Sequence, residues 1–415
     1  MKSLMNIRYS GFLLVGLILL SGGIMFESKG LKATDHSGLS VAAGQPLKVG
    51  AERTDLYFPL LRERNIGVAG NHTSMVGNTH LVDTLLAMNF NVVKVFSPEH
   101  GFRGQAAAGE KVDDGKDPRT GLPIVSLYGS NRSPSPEQLE GLDLIVFDMQ
   151  DVGTRFYTYI STMTLIMREA ARMDIPVIIL DRPNPNGHFV DGPVLELEFA
   201  SFVGMHPVPV VHGMTIGEYA RMVNGEDWLG AGLTSELLVI PVENYTHSTY
   251  YALPVAPSPN LPNMHSVYLY PSLCFFEGTQ VSVGRGTSKP FQVFGHSSFD
   301  KDDFNYSFIP QSVSAAPDPP QKDLQCYGRD LSSMPLESLQ RRDQLDLNYL
   351  MHAFSQFPEK EHFFNNYFEK LAGTRLLQSQ IMAGLPEEVI RESWQEDLEQ
   401  FKIMRARYLL YPDFE

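Results

Sequence analysis

The chain has 415 residues, 43% of them hydrophobic and 20% charged, with a formal net charge of −15. That length is enough for two cores, or for one large core carrying a lobe. The acidic balance argues against nucleic acid or anionic lipid as a partner.

Residues 1–23 read as a secretory signal peptide or a retained anchor. Lys2 and Arg8 give a positive start, and the apolar run Gly11 to Leu20 is too short to span a bilayer comfortably. Ser21-Gly22-Gly23 is the best candidate for cleavage, and the lack of a cysteine after the run excludes a lipoprotein anchor. Losing Lys2 and Arg8 takes the net charge from −15 to −17. Residues 24–46 are mostly small and polar, as in a flexible lead. Export implies an oxidising, periplasmic or extracellular setting. Only Cys274 and Cys326 are present. Whether they pair stays open, although Cys274, in Leu273-Cys274-Phe275-Phe276, reads as a buried thiol.

From residue 47 to 192, apolar strand-like runs alternate with helical patterns. Ile66–Ala69, Asn91–Phe96, Ile124–Tyr128, Leu144–Phe147 and Val177–Leu180 are the expected strands. Leu81–Met88 and Tyr157–Met173 are the expected helices. This alternation predicts an α/β domain with a doubly wound parallel sheet. Pro98, which cannot donate a ladder hydrogen bond, ends the second strand. Polar residues follow the strands: Asn71 and His72, then Glu99 and His100, then Asp148, Gln150, Asp151 and Arg155, then Asp181, Arg182 and Asn184. In a parallel sheet these all fall on one edge, where ligands bind. Buried carboxylates are costly unless paired, so their gathering there marks a functional face.

Gly187 and Gly192-Pro193 suggest a boundary, with residues 193–415 forming a second part. Thr215, with Glu218 three residues on, is a capping box for a helix to Val223. Leu237–Ile240 is strand-like, and Pro254–Pro262 and residues 310–323 read as loops. Gly284-Arg285-Gly286-Thr287 presents an arginine between glycines. From Pro386 onward, Ile390, Trp394, Leu398, Phe401 and Tyr408 predict one amphipathic helix.

Several chemistries can be weighed on these residues. The turn Gly67-Val68-Ala69-Gly70-Asn71-His72 lacks the glycine spacing of a dinucleotide site, so no dinucleotide cofactor is expected. His72, His100, Asp148 and Asp151 are single ligands scattered over loops, with no helix-borne histidine pair, so no metal is expected. Acetal hydrolysis needs a carboxylic acid for the leaving oxygen and a second group, commonly a carboxylate. Glu99 is the best acid. For the second role Asp151 and Asp148 come first, because they share Glu99's edge of the sheet, with Glu277 as a further candidate and His100 next if none of them serves.

The run of motifs resembles the exo-β-N-acetylmuramidases, once known as a domain of unknown function. The resemblance is carried by Ser97-Pro98-Glu99-His100-Gly101-Phe102-Arg103-Gly104, by Phe147 to Tyr159, by Asp181-Arg182-Pro183-Asn184-Pro185, by Pro257-Ser258-Pro259-Asn260, and by Glu277-Gly278-Thr279 with Gly284-Arg285-Gly286-Thr287. It covers roughly residues 50–415. It implies a Rossmann-like domain joined to a smaller α+β C-terminal domain, with the site in the cleft between them. It also implies release of N-acetylmuramic acid from the non-reducing end of peptidoglycan fragments, without a cofactor, and Glu99 as the catalytic acid. Muramic acid carries a lactyl carboxylate, for which Arg155 and Arg285 are the first candidates, with Arg103 and Arg182 behind them. Asn71, Gln150, Tyr157, Asn184 and Glu277 complete the set expected to hold substrate. The rival readings are a non-catalytic cell-wall sugar-binding protein and a metal-dependent wall amidase or esterase.

Overall fold

The computed structural model describes residues 45–98, 101–103 and 115–415. The expected signal and most of the flexible lead lie outside the described residues, as do Glu99 and His100. Among the described residues, no helix is long and apolar enough to cross a membrane.

The short, continuously apolar runs become strands buried on both faces, as parallel strands covered by helices must be. In chain order they are β1 (Ile66–Gly70), the small hairpin β2 (Met75–Val76) and β3 (Thr79–His80), β4 (Val92–Ser97), β5 (Gly115–Lys116), β6 (Pro123–Ser126), β7 (Leu144–Asp148), β8 (Val177–Leu180) and β9 (Leu237–Ile240). Seven of them form one sheet in the order β5-β6-β4-β1-β7-β8-β9, and only the edge strand β5 runs antiparallel. β1 is central, with Val68 opposite Val95 of β4 and Val146 of β7. From β1 the chain winds outward through β4 and β6, then crosses back to β7 and winds the other way. The crevice between the C-terminal ends of β1 and β7 is thus the topological switch point, where such sheets bind ligands.

The sheet runs past residue 192, because β9 pairs with β8 in parallel register from Val177↔Leu237 to Leu180↔Ile240. The helix Ile216–Gly225 that precedes β9 starts as its capping box predicts, with Thr215 Oγ1 accepting from Glu218 N and Glu218 Oε2 accepting from Thr215 N. The remaining part carries the antiparallel sheet β10 (Val293–His296), β11 (Tyr306–Phe308) and β12 (Cys326–Asp330), in the order β10-β12-β11, among short helices. A single apolar core is continuous from Phe96 and Phe147 in the large sheet to Phe275, Leu350 and Trp394 beyond it. Cys274 and Cys326 are both buried and unbridged.

The expected single helix after Pro386 is two, Glu387–Glu392 and Gln395–Ala406. The break has a polar cause. At the junction Trp394 leaves helical geometry and its indole Nε1 donates to Asp191 Oδ1 at 3.2 Å, while Arg391 Nη1 reaches Asp191 Oδ2 at 2.8 Å.

Arg155 fixes the two parts against each other. Its side chain is fully buried, and Nη1 donates to Pro193 O (2.8 Å) and Val208 O (2.6 Å). Its Nη2 donates to Leu371 O (2.9 Å) and Ala372 O (2.8 Å). Burial pulls its pKa down to about 9. Arg155→Met should therefore leave the carbonyls of Pro193, Leu371 and Ala372 without this donor, while Val208 O keeps its bond from Leu195 N, at about 1–3 kcal/mol for each group that water cannot reach. A loss of more than about 3 kcal/mol in urea unfolding is expected. An unchanged midpoint would contradict this role.

Candidate active site

The loops that leave β1, β7 and β8 are tied together at the switch point by their own polar side chains. Ser74 Oγ donates to Asp148 O, and Asn71 N donates back to Ser74 Oγ at 2.9 Å. Asn71 Oδ1 accepts from Thr73 N and Thr73 Oγ1, while Thr73 Oγ1 accepts from Gln150 N at 3.0 Å. Gln150 Nε2 then donates to Asp151 O and to Pro183 O of the β8 loop. Asn184 Nδ2 donates to Met214 O, and Gly153 makes room for this side chain. Gly153 has a φ of +79°, and a Cβ there would collide with the Asn184 amide.

The three acids at this edge are internally satisfied to different degrees. Asp148, fully buried, forms a two-point pair with Arg182, with Nε to Oδ1 at 2.6 Å and Nη2 to Oδ2 at 2.9 Å. Arg182 Nη2 also reaches Met75 O. Asp181 accepts from Arg182 N, Gly217 N, Thr215 Oγ1 and Tyr411 OH. Despite these donors, burial lifts its pKa to about 6. Asp151 accepts from Gly153 N at 2.7 Å through Oδ2, whereas Oδ1 is buried without a hydrogen-bond partner among the described residues. Burial raises its pKa to about 7.

A cavity of about 320 Å³ lies beside this network. Tyr157, Tyr159 and Asn260 form part of its wall, as do Glu277 and Arg285 from the later part of the chain and Tyr128, Arg132, Phe202 and Lys370. Tyr157 OH donates to Pro257 O at 2.8 Å, and Tyr159 OH accepts from Asn71 Nδ2 at 2.7 Å, which joins the cavity wall to the sheet edge. Glu277 sits on the turn Cys274–Gly278. Its Oε1 accepts from Arg285 Nε at 2.6 Å, and among the described residues its Oε2 receives only a long thiol contact from Cys274, at 3.6 Å.

Of the residues expected from sequence to bind substrate, the cavity takes Tyr157, Glu277 and Arg285. Asn71, Gln150, Arg182 and Asn184 belong to the scaffold beside it, and Asp148 and Asp151 do not line it. The expectation that Arg155 meets a substrate carboxylate is corrected: its guanidinium is spent on backbone carbonyls inside the protein. Arg103 is also engaged elsewhere, bridging Asp83 and Asp117 beside a second hollow lined by His72 and His80. The catalytic expectations for Glu99 and His100 concern residues outside those described. Sequence reading missed Tyr128, Arg132 and Lys370. Each stands alone in an ordinary loop or short helix, with no motif to mark it. Among the described residues, no three His, Cys, Asp or Glu side chains converge as a metal site requires.

The raised pKa of Asp151 has a signed consequence. The folded state holds its proton to about pH 7, while the unfolded chain releases it near the ordinary carboxylate value. Between those two pH values the folded state binds more protons, so its stability falls as pH rises. Asp151→Asn should lessen the decline in unfolding free energy between pH 4 and pH 8. Parallel curves for wild type and variant would rule the assignment out.

Models of the N-terminal and C-terminal parts of the exo-beta-N-acetylmuramidase NamZ match residues 66–265 and 268–411. The peptidoglycan beta-N-acetylmuramidase NamZ of Bacillus subtilis (strain 168) is 37% identical over 375 residues, covering 86% of this chain and 89% of that protein. Two solved structures of DUF1343 family proteins from Bacteroides fragilis NCTC 9343 are similar. One has a TM-score of 0.82 at 47% identity, covering 89% of this chain and all of the other. The second has a TM-score of 0.74 at 27% identity, covering 88% of this chain and 99% of the other. The cavity draws Tyr157 and Asn260 from the first matched part and Glu277, Arg285 and Lys370 from the second. With both of its parts matched over most of their length, the chain belongs to the NamZ family of exo-β-N-acetylmuramidases.

Proposed function

We propose that the protein hydrolyses the glycosidic bond of terminal β-linked N-acetylmuramic acid at the non-reducing end of peptidoglycan fragments, in turnover or recycling of the cell wall. The observation that carries this reading is the family match along both parts of the chain, with a sugar-sized cavity at their junction. The apolar segment at residues 1–23 is in keeping with export to a wall substrate.

The chemistry requires a proton for the leaving oxygen, and Glu99 supplies it. This assignment rests on the family resemblance of Ser97 to Gly104 and on chain order, since Glu99 comes two residues after the end of β4 in the sequence. The second group is Glu277. Asp148 is neutralised by Arg182 away from solvent, and Asp151 is off the cavity wall. Glu277 lines the cavity, Arg285 fixes it through one oxygen, and the other oxygen is left with capacity for a water or for the acetamido N–H of the substrate. In the first case it acts as a base, and in the second it orients the sugar's own nucleophile.

Release of N-acetylmuramic acid from a chromogenic β-N-acetylmuramide by the purified chain tests the reading. Activity is expected to persist with chelator present. Glu99→Gln, an isostere unable to donate the proton, should lower kcat by about 10²–10⁴-fold. Glu277→Gln should also lower kcat, whereas Asp148→Asn should act chiefly through stability. Near wild-type turnover in Glu99→Gln would remove it from the mechanism.

A further inference from the structure

The cavity wall carries three cations, Arg132, Arg285 and Lys370, and one carboxylate, Glu277. Arg285 and Glu277 balance each other at 2.6 Å. Arg132 and Lys370 have no carboxylate at ion-pair distance among the described residues. The wall therefore holds an excess of positive charge, in a protein whose net charge is −15. Such a local excess attracts an anionic ligand group.

Arg132 is held ready for one. Its Nε donates to Gly129 O at 3.0 Å, and its Cζ lies 4.6 Å from the centre of the Phe202 ring. One bond and one aromatic face thus set the guanidinium plane, leaving the two Nη groups as the fork that matches a carboxylate. Lys370 sits on the helix Phe368–Ala372, next to Leu371, whose carbonyl Arg155 grips. It adds a point charge from the later part of the chain, while Arg132 belongs to the earlier part.

We infer that Arg132, aided by Lys370, reads the lactyl carboxylate of the muramic sugar and so distinguishes it from sugars without that group. This rests on the proposed muramidase reaction, and it replaces Arg155 and Arg285 as the expected carboxylate ligands. Arg285 positions Glu277, and Arg155 holds the two parts of the chain together.

The test uses the purified chain on three aryl glycosides: the β-N-acetylmuramide, the same compound with its lactyl group as the uncharged methylamide, and the β-N-acetylglucosaminide. Wild type should prefer the free acid over the methylamide by about ten- to a hundredfold in kcat/KM. Arg132→Gln should erase most of that preference by raising KM for the free acid, with kcat nearly unchanged and the two uncharged substrates barely affected. Arg132→Lys should restore part of it, and Lys370→Gln should give a smaller loss that deepens in the double variant. Inhibition by free N-acetylmuramic acid should weaken in parallel, which reads binding without chemistry. Equal losses on charged and uncharged substrates, or a preference that survives in the double variant, would overturn the assignment. Failure of wild type to cleave the muramide at all would overturn the proposed reaction and this inference with it. A muramide cleaved without any preference for the free acid would remove the inference alone.

Discussion

The arrangement of the site depends on one buried guanidinium. Arg155 sits directly before Phe156 and Tyr157, which line the cavity, and its four acceptors lie at Pro193, Val208, Leu371 and Ala372. Two of those acceptors directly follow Lys370, on the facing part of the chain. A charge buried without a carboxylate is costly. Here four aligned carbonyl dipoles offset that cost and fix the spacing between the cavity's two contributing parts. A lysine could not do the same, because a single ammonium lacks the planar fork.

The sheet edge follows the same economy. Charged and amide side chains that resemble catalytic groups in sequence are mostly satisfied by one another or by backbone. Asp148 holds Arg182, Asp181 receives four donors, and Gln150 links the loops after β1, β7 and β8. The network fills the switch-point crevice with fixed dipoles and leaves the open space beside it, where tyrosines, an arginine–glutamate pair and two cations form the wall. Rigid scaffolding of this kind keeps reacting groups in place, which governs how much of a barrier orientation can remove.

Much of the fold was legible because continuous apolar runs such as Val177–Leu180 have few alternatives to a buried strand, and because the Thr215–Glu218 box announces its helix. The sheet's last strand was recognised as a strand but not as a member of the sheet, since pairing across Val177↔Leu237 leaves no local trace. The break at Trp394 was hidden for a similar reason: its cause is Asp191, two hundred residues away in sequence. At the site, Glu277 and Arg285 were legible as an acid and a glycine-bracketed arginine. Arg155 misled, because residue type and motif position do not reveal whether a guanidinium faces a cavity or four carbonyls. Arg132 and Lys370 were silent, since their meaning comes from what they lack nearby.

Tyr411 donates to Asp181 across 230 positions, and Arg155 reaches Leu371 across 216. Contacts of that separation form only after long loops have closed, and the strands and helices can assemble locally before them. The cavity therefore exists only where these long-range contacts are in place, and a chain that holds its secondary structure without them has no working pocket. For a glycosidase directed at the cell wall, this makes hydrolysis conditional on completed folding, with no separate inhibitory segment required among the described residues.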